Sequence, residues 1–193
     1  MMMIYQVSPI TETWHADTTH VLAPPKITTL VARNIPPLGG DTAFANQHLA
    51  YMALRESMRQ MLDGMYAVHY GTDLAYSQGV DATKLRHAHP VVIEHDESGL
   101  RGLYVNADYT RHFAGWTEEE SRPLLEFLYA QATKLEFMYR HRWQPGDYVM
   151  WDNRIVQHRV VHDHGTATRE LNRVTLHGEP MRGPAGTSYK YED

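Results

Sequence analysis

The C-terminal half of the chain most limits the fold. Here "EFMYRHRW" (136–143), "QPGD" (144–147), "YVMWDN" (148–153) and "RELNRVTLHG" (169–178) follow one another closely. These segments read as strands, with "QPGD" as a turn, because aromatic and β-branched runs are punctuated by Gly, Pro, Asn and Asp. Upstream, "KITTLVARNI" (26–35) reads as a further strand and "PPLGGDT" (36–42) as a loop. "PVVIEH" (90–95) and "RGLYVN" (101–106) form a hairpin across "DESG".

Two helices complete the pattern. One is expected from about Ala43 to Met65, where Leu54, Met58, Met61 and Leu62 make an apolar stripe and Gly64 offers a stop. The other spans 117–134: Thr117 and Glu120 make a capping box, Leu124, Leu125 and Leu128 form the buried face, and Pro123 shortens or kinks its start. Residues 70–89 carry no clear period and read as a mobile connection. The expected class is a β-rich α+β fold, a β-sandwich or jelly roll flanked by helices. A doubly wound α/β sheet fits less well, because strands and helices do not alternate. Residues 1–180 form a single domain in this reading, and 181–193 a loose tail.

The bulk numbers narrow the function. The chain of 193 residues is long enough for a proper core, and its formal charge of −5 gives no general attraction to nucleic acid or an anionic membrane. Cysteine is absent, which removes disulfides, thiolate metal sites and thiol nucleophiles. The start "MMMIYQVSPITETW" lacks a basic signal-peptide region, and no apolar run approaches the ~20 residues of a membrane span. The expectation is a soluble, cytoplasmic protein.

Chemistry enters with the histidines. "WDNRIVQHRVVHDHG" (151–165) holds His158, His162 and His164 at even positions, all on one face if the strand continues. It does not continue through "DHGTAT", a turn signal, so His162 and His164 belong at the rim. His15 and Asp17 in "TWHADTTH" share a face of an extended segment. With one distant histidine they would complete a two-histidine, one-carboxylate triad of the kind that holds non-haem Fe(II). Arg169 and Arg173, four apart on one strand, also share a face, and guanidinium forks suit carboxylates and similar anions.

The motifs "WHADTTH", "PPLGGDTAFANQHLAYMAL", "LDGMYAVH", "HPVV", "RHRWQPGDYVMWDNRIVQH" and "RELNRVTLHGEP" occur in one order between about residues 13 and 180. In them the chain resembles the taurine dioxygenase family of Fe(II)- and 2-oxoglutarate-dependent oxygenases, which includes alkylsulfatase and phenoxyalkanoate enzymes. The resemblance implies a double-stranded β-helix with a shortened N-terminal part. It implies that His15, Asp17 and His158 bind Fe(II), and that Thr42 and Arg169 hold the distal carboxylate of 2-oxoglutarate. It further implies that Arg173 binds the substrate's sulfonate, sulfate or carboxylate, and that Tyr109 lines the substrate pocket. By the same resemblance O2 is a co-substrate, succinate and CO2 are released, and the protein is a homodimer or homotetramer.

Two other readings of the same residues stay open. One is a shortened jelly roll that binds metal or ligand without turnover. The other is a hydrolase with Zn on the same three ligands, which would need no 2-oxoglutarate.

Overall fold

The computed structural model describes residues 2–5, 13–72, 79, 81 and 84–184. Strand β1 is Met2–Tyr5, β2 Ile27–Asn34 and β3 Thr42–Asn46; short helices α1 (Gln47–Met52) and α2 (Glu56–Leu62) follow. Next come β4 (Tyr66–Tyr70), β5 (Arg86–Pro90), β6 (Val92–Glu94), β7 (Arg101–Leu103) and β8 (Thr110–Phe113). Helix α3 (Glu118–Ala132) leads into β9 (Met138–His141), β10 (Tyr148–Asp152), β11 (Val156–Val160) and β12 (Glu170–Leu176).

The strand pairings are antiparallel. One sheet has the order β1-β12-β2-β10 and a second β11-β3-β9; smaller sheets are β5-β4-β8 and the hairpin β6-β7. The first two sheets pack through Leu30, Ala32, Phe44, Trp143, Trp151 and Leu171. A second core lies beneath α3, where Leu125, Leu128 and Ala132 meet Ala50, Leu54, Leu62 and Phe113. The architecture is therefore β-rich with helices at its flank. Among the described residues no helix is long and apolar enough to cross a membrane.

Several elements differ from the sequence reading. The helix expected over 43–65 is a strand followed by two short helices. Thr42–Ala45 are buried on both faces, so the strand shows no period-two alternation and resembles the apolar stripe of the helices beyond it. Asn46 ends the strand and caps α1, its side chain accepting the Leu49 N–H at 3.0 Å. Leu54 and Leu62 are buried as expected, whereas Met61 is 47% exposed.

Arg86–His89, read as part of a mobile connection, pairs with β4 from Arg86↔Tyr70 to His89↔Ala67. Positions 73–78, 80, 82 and 83 of that connection lie outside the described residues. Helix α3 has the expected capping box and runs unbroken through Pro123, which sits on its exposed face. In the C-terminal segment, Met181 is buried with Ile93 and Tyr104, and Glu94 N–H donates to Arg182 O at 2.9 Å. Residues 181–184 are thus tied down, and 185–193 lie outside the described residues.

Candidate metal centre

The segment before β2 meets β11 in a single two-residue bridge. His15 N–H donates to His158 O at 3.1 Å, and His158 N–H to His15 O at 2.8 Å. Residues that exchange both bonds in an antiparallel pair project their side chains to one face. The imidazole centroids accordingly lie 4.3 Å apart. Asp17, two residues on, places Oδ1 3.9 Å from His15 Nε2 and 3.6 Å from His158 Nε2. Among the described residues this is the one group of three such ligands whose donor atoms all lie within 4.8 Å of one another. Immediately afterwards Thr18 takes φ 46°, an unusual conformation for a β-branched residue, and the chain turns away.

A second layer of residues aims these atoms. His15 Nδ1 lies 2.8 Å from Thr13 O, which can only accept, so Nδ1 donates there and Nε2 is the nitrogen turned towards Asp17. Asp17 Oδ2 accepts from the Thr28 hydroxyl at 2.5 Å and is ion-paired with Arg173 Nη2, leaving Oδ1 to face the imidazoles. Asn153 locks this arrangement. Its amide donates to Thr28 Oγ1 at 2.8 Å, while its oxygen accepts from Asp17 N–H at 3.3 Å and from Trp151 Nε1 at 3.0 Å.

The protonation states suit ligands. Burial alone would raise the Asp17 pKa, but His158, Arg173, His15 and the Thr28 hydrogen bond outweigh it and hold the carboxyl well below its usual range. Burial, then the neighbouring His15, keeps His158 neutral, far below an ordinary histidine. Ionised carboxylate and neutral imidazole are the forms that bind metal. Two imidazoles and one carboxylate oxygen therefore converge, at 3.6 and 3.9 Å, beyond hydrogen-bond distance. A divalent first-row cation such as Fe(II) fits that donor set and would keep open positions.

A second polar cluster stands on the loop before β3 and the start of β12. Arg169 Nε donates to Gly40 O at 2.7 Å and Nη2 to Thr42 Oγ1 at 3.1 Å; Thr42 Oγ1 also accepts from Trp143 Nε1 at 3.0 Å. Burial lowers the Arg169 pKa to about 10. Among the described residues, no carboxylate lies in ion-pair range of this buried guanidinium. Asp41 favours its charge only from longer range, and a buried cation without an ion-pair partner is costly unless a ligand supplies one.

The sequence-named residues thus fall into place as follows. His15, Asp17 and His158 come together, and so do Thr42 and Arg169. Arg173 borders the triad through Asp17. Tyr109 borders it through His15, with ring centroids 6.4 Å apart, and its hydroxyl pKa is raised by burial. β11 ends at Val160, so His162 and His164 lie outside the triad; His164 Nδ1 instead faces Ala167 O at 3.0 Å. Thr28, Asn153 and Trp151 were missed, because no spacing rule links a hydroxyl and an amide to a carboxylate so far away in sequence.

Fold and site define a two-histidine, one-carboxylate centre carried on antiparallel sheets. The chain belongs to the family described as taurine catabolism dioxygenase TauD, TfdA family, whose model matches residues 3–175. It is 37% identical to an alkylsulfatase of Acinetobacter baylyi over 192 residues, covering 92% of this chain and 60% of the relative. It is 38% identical to an alpha-ketoglutarate-dependent sulfate ester dioxygenase of Pseudomonas putida over 188 residues, covering 90% of this chain and 62% of that protein. The crystal structure of a taurine dioxygenase from Burkholderia xenovorans superposes with a TM-score of 0.84 at 36% identity, covering 96% of this chain and 64% of the other. The chain spans about three fifths of the length of the curated relatives it matches.

Proposed function

We propose that the protein is an Fe(II)- and 2-oxoglutarate-dependent dioxygenase acting on a small anionic substrate, a sulfonate, sulfate ester or carboxylate. The observation that carries this reading is the convergence of His15 Nε2, His158 Nε2 and Asp17 Oδ1, with separations of 3.6 and 3.9 Å to the carboxylate oxygen. The unpaired Arg169 beside Thr42 supports it further, as a seat for a dicarboxylate. In the same reading the two larger sheets are the halves of a double-stranded β-helix.

The chemistry supplied by bound iron is activation of O2, coupled to decarboxylation of 2-oxoglutarate. In that chemistry one oxygen atom would enter succinate as CO2 leaves, and the other would be inserted into a C–H bond of the substrate to give C–OH. A carbon hydroxylated next to a sulfonate or sulfate ester collapses to a carbonyl, expelling sulfite or sulfate. The protein's part is orientation and charge. Thr42 and Arg169 grip the distal carboxylate of 2-oxoglutarate with a neutral and a charged donor. Arg173 steadies Asp17 and offers its remaining donors to the anionic head of the substrate. Tyr109 forms an aromatic wall beside His15.

The test is anaerobic Fe(II) reconstitution, then O2 and succinate measurements with taurine, alkyl sulfates and phenoxyacetates. Succinate that requires Fe(II), 2-oxoglutarate and one of these substrates supports the reading. An iron-loaded chain that forms none with any of them overturns it. Hydrolysis of a sulfate ester without 2-oxoglutarate also overturns it, and points to the hydrolase.

A further inference from the structure

The turn Gly39–Gly40 carries the carbonyl that orients Arg169, because Gly40 O accepts from Arg169 Nε at 2.7 Å. Both glycines are left-handed, with φ 75° and 71°, so the turn gains little from its own backbone preference. The Gly40 N–H is held by Asp163, the residue between His162 and His164, while Val161 N–H donates to Asp41 O at 2.9 Å just beyond the turn. Asp163 Oδ1 accepts the Gly40 N–H at 2.8 Å. Asp163 Oδ2 accepts from Arg140 Nη2 at 2.7 Å, and Arg140 Nε donates to Asp41 Oδ2 at 2.6 Å. Gly39 rests on the same residue: a Cβ there would lie 2.5 Å from Asp163 Oδ1 and 2.7 Å from its carbonyl oxygen.

The N–H of Gly40 is therefore fixed by Asp163 while its C=O fixes Arg169. Asp41, the next residue, is gripped by Arg140 directly before Thr42. We propose that Asp163, with Arg140 behind it, is a positioning residue for the Arg169–Thr42 carboxylate site, clipping the Gly39–Gly40 turn so that the guanidinium is held ready for 2-oxoglutarate. This rests on the reading of that site given under Proposed function.

The bland alternative is an ordinary surface ion pair, since the Arg140 and Asp163 side chains are 50% and 45% exposed. Pairs of that kind contribute little. The main-chain contact argues against it. The Gly40 N–H, ahead of Arg140, is the leading cause that holds the Asp163 carboxyl below its ordinary range. Loss of Asp163 would free a turn whose carbonyl is a hydrogen-bond partner of Arg169.

The experiment measures binding of N-oxalylglycine, an unreactive mimic of 2-oxoglutarate, to the full Co(II)-loaded chain by calorimetry, beside steady-state kinetics of the Fe(II) form. For Asp163→Ala the expected result is a rise of about tenfold in both the N-oxalylglycine Kd and the 2-oxoglutarate KM, the scale seen when an outer support of a ligand is lost. Co(II) affinity, substrate KM and kcat at saturating 2-oxoglutarate should change by less than about twofold, because the clip touches none of the groups that set them. Asp163→Asn keeps an oxygen for the Gly40 N–H and should recover most of the loss. Arg140→Gln, which leaves that bond in place, should give a smaller rise in the same direction and serves if Asp163→Ala does not fold.

A wild-type chain that binds Co(II) but not N-oxalylglycine overturns the reading of the site itself. A wild-type chain that binds it, with Asp163→Ala and Arg140→Gln unchanged, overturns the positioning role alone. Equal losses for co-substrate, substrate and metal would make Asp163 a general structural residue, which also overturns it.

Discussion

His15 and His158 exchange both of their main-chain hydrogen bonds, at 3.1 and 2.8 Å, and their imidazoles lie side by side as a result. Backbone pairing therefore brings the two rings together, and the contact of His15 Nδ1 with Thr13 O turns its ring. Replacing either ring removes a ligand without removing the bridge. His158→Ala, His15→Ala or Asp17→Ala should each abolish Fe(II) binding measured anaerobically by calorimetry. His162→Ala and His164→Ala should bind Fe(II) like the parent chain.

The Thr28 hydroxyl holds one oxygen of Asp17 and leaves the other turned to the two imidazoles. Thr28→Val keeps the shape and removes the donor. Fe(II) affinity should fall about tenfold, as is usual when a ligating carboxylate loses an outer hydrogen bond. Thr28→Ser should restore it in a Co(II) titration followed by visible absorption.

Arg169 offers a planar fork, which a lysine cannot copy. A hydrogen bond to a charged group contributes roughly 1.5–3 kcal/mol, so Arg169→Lys should raise the KM for 2-oxoglutarate by about 10- to 100-fold. Substrate KM, measured at saturating 2-oxoglutarate, should move far less.

Acid should destabilise the fold through a buried histidine pair, His69 and His89, that is bonded to the turn following Asp17. Burial, then His89 and His87, holds the pKa of His69 well below 6.5; burial, then His87, pushes that of His89 down to about 3. Above pH 6.5 the unfolded histidines are neutral too, and nothing is lost. As the pH falls from 6.5 towards about 3, the unfolded chain takes up protons that the folded chain refuses. Stability should then drop by up to about 1.4 kcal/mol per pH unit for each histidine. Urea unfolding between pH 7.5 and 4.5 checks this, and His89→Gln should flatten the slope by about one proton.

Much of the site was legible because its chemistry is concentrated in short motifs. His15-x-Asp17 is a pair visible within three letters, and Arg169 and Arg173 share a strand face at a spacing of four. The supports were not legible. Thr28 and Asn153 meet across the fold, and neither residue type announces such a role. Asp163 sits among histidines that draw the eye, yet its partner is a backbone N–H, which leaves no trace in a sequence. In the fold, strands with one exposed face were readable, whereas β3, buried on both faces, merged into the helical stripe that follows.

The order β1-β12-β2-β10 has a consequence for how the molecule is made. Among the described strands, β12 is the last in chain order and lies between β1 and β2, the first two. Until Glu170–Leu176 has left the ribosome, β1 has no neighbour and β2 is paired on one side only. Arg173, which steadies Asp17, arrives on that same strand. Pairings between such distant parts of a chain are slow to form. Arg173 therefore reaches Asp17 only when β12 has docked beside β2, so the charge that tunes the Asp17 carboxylate depends on a long-range pairing.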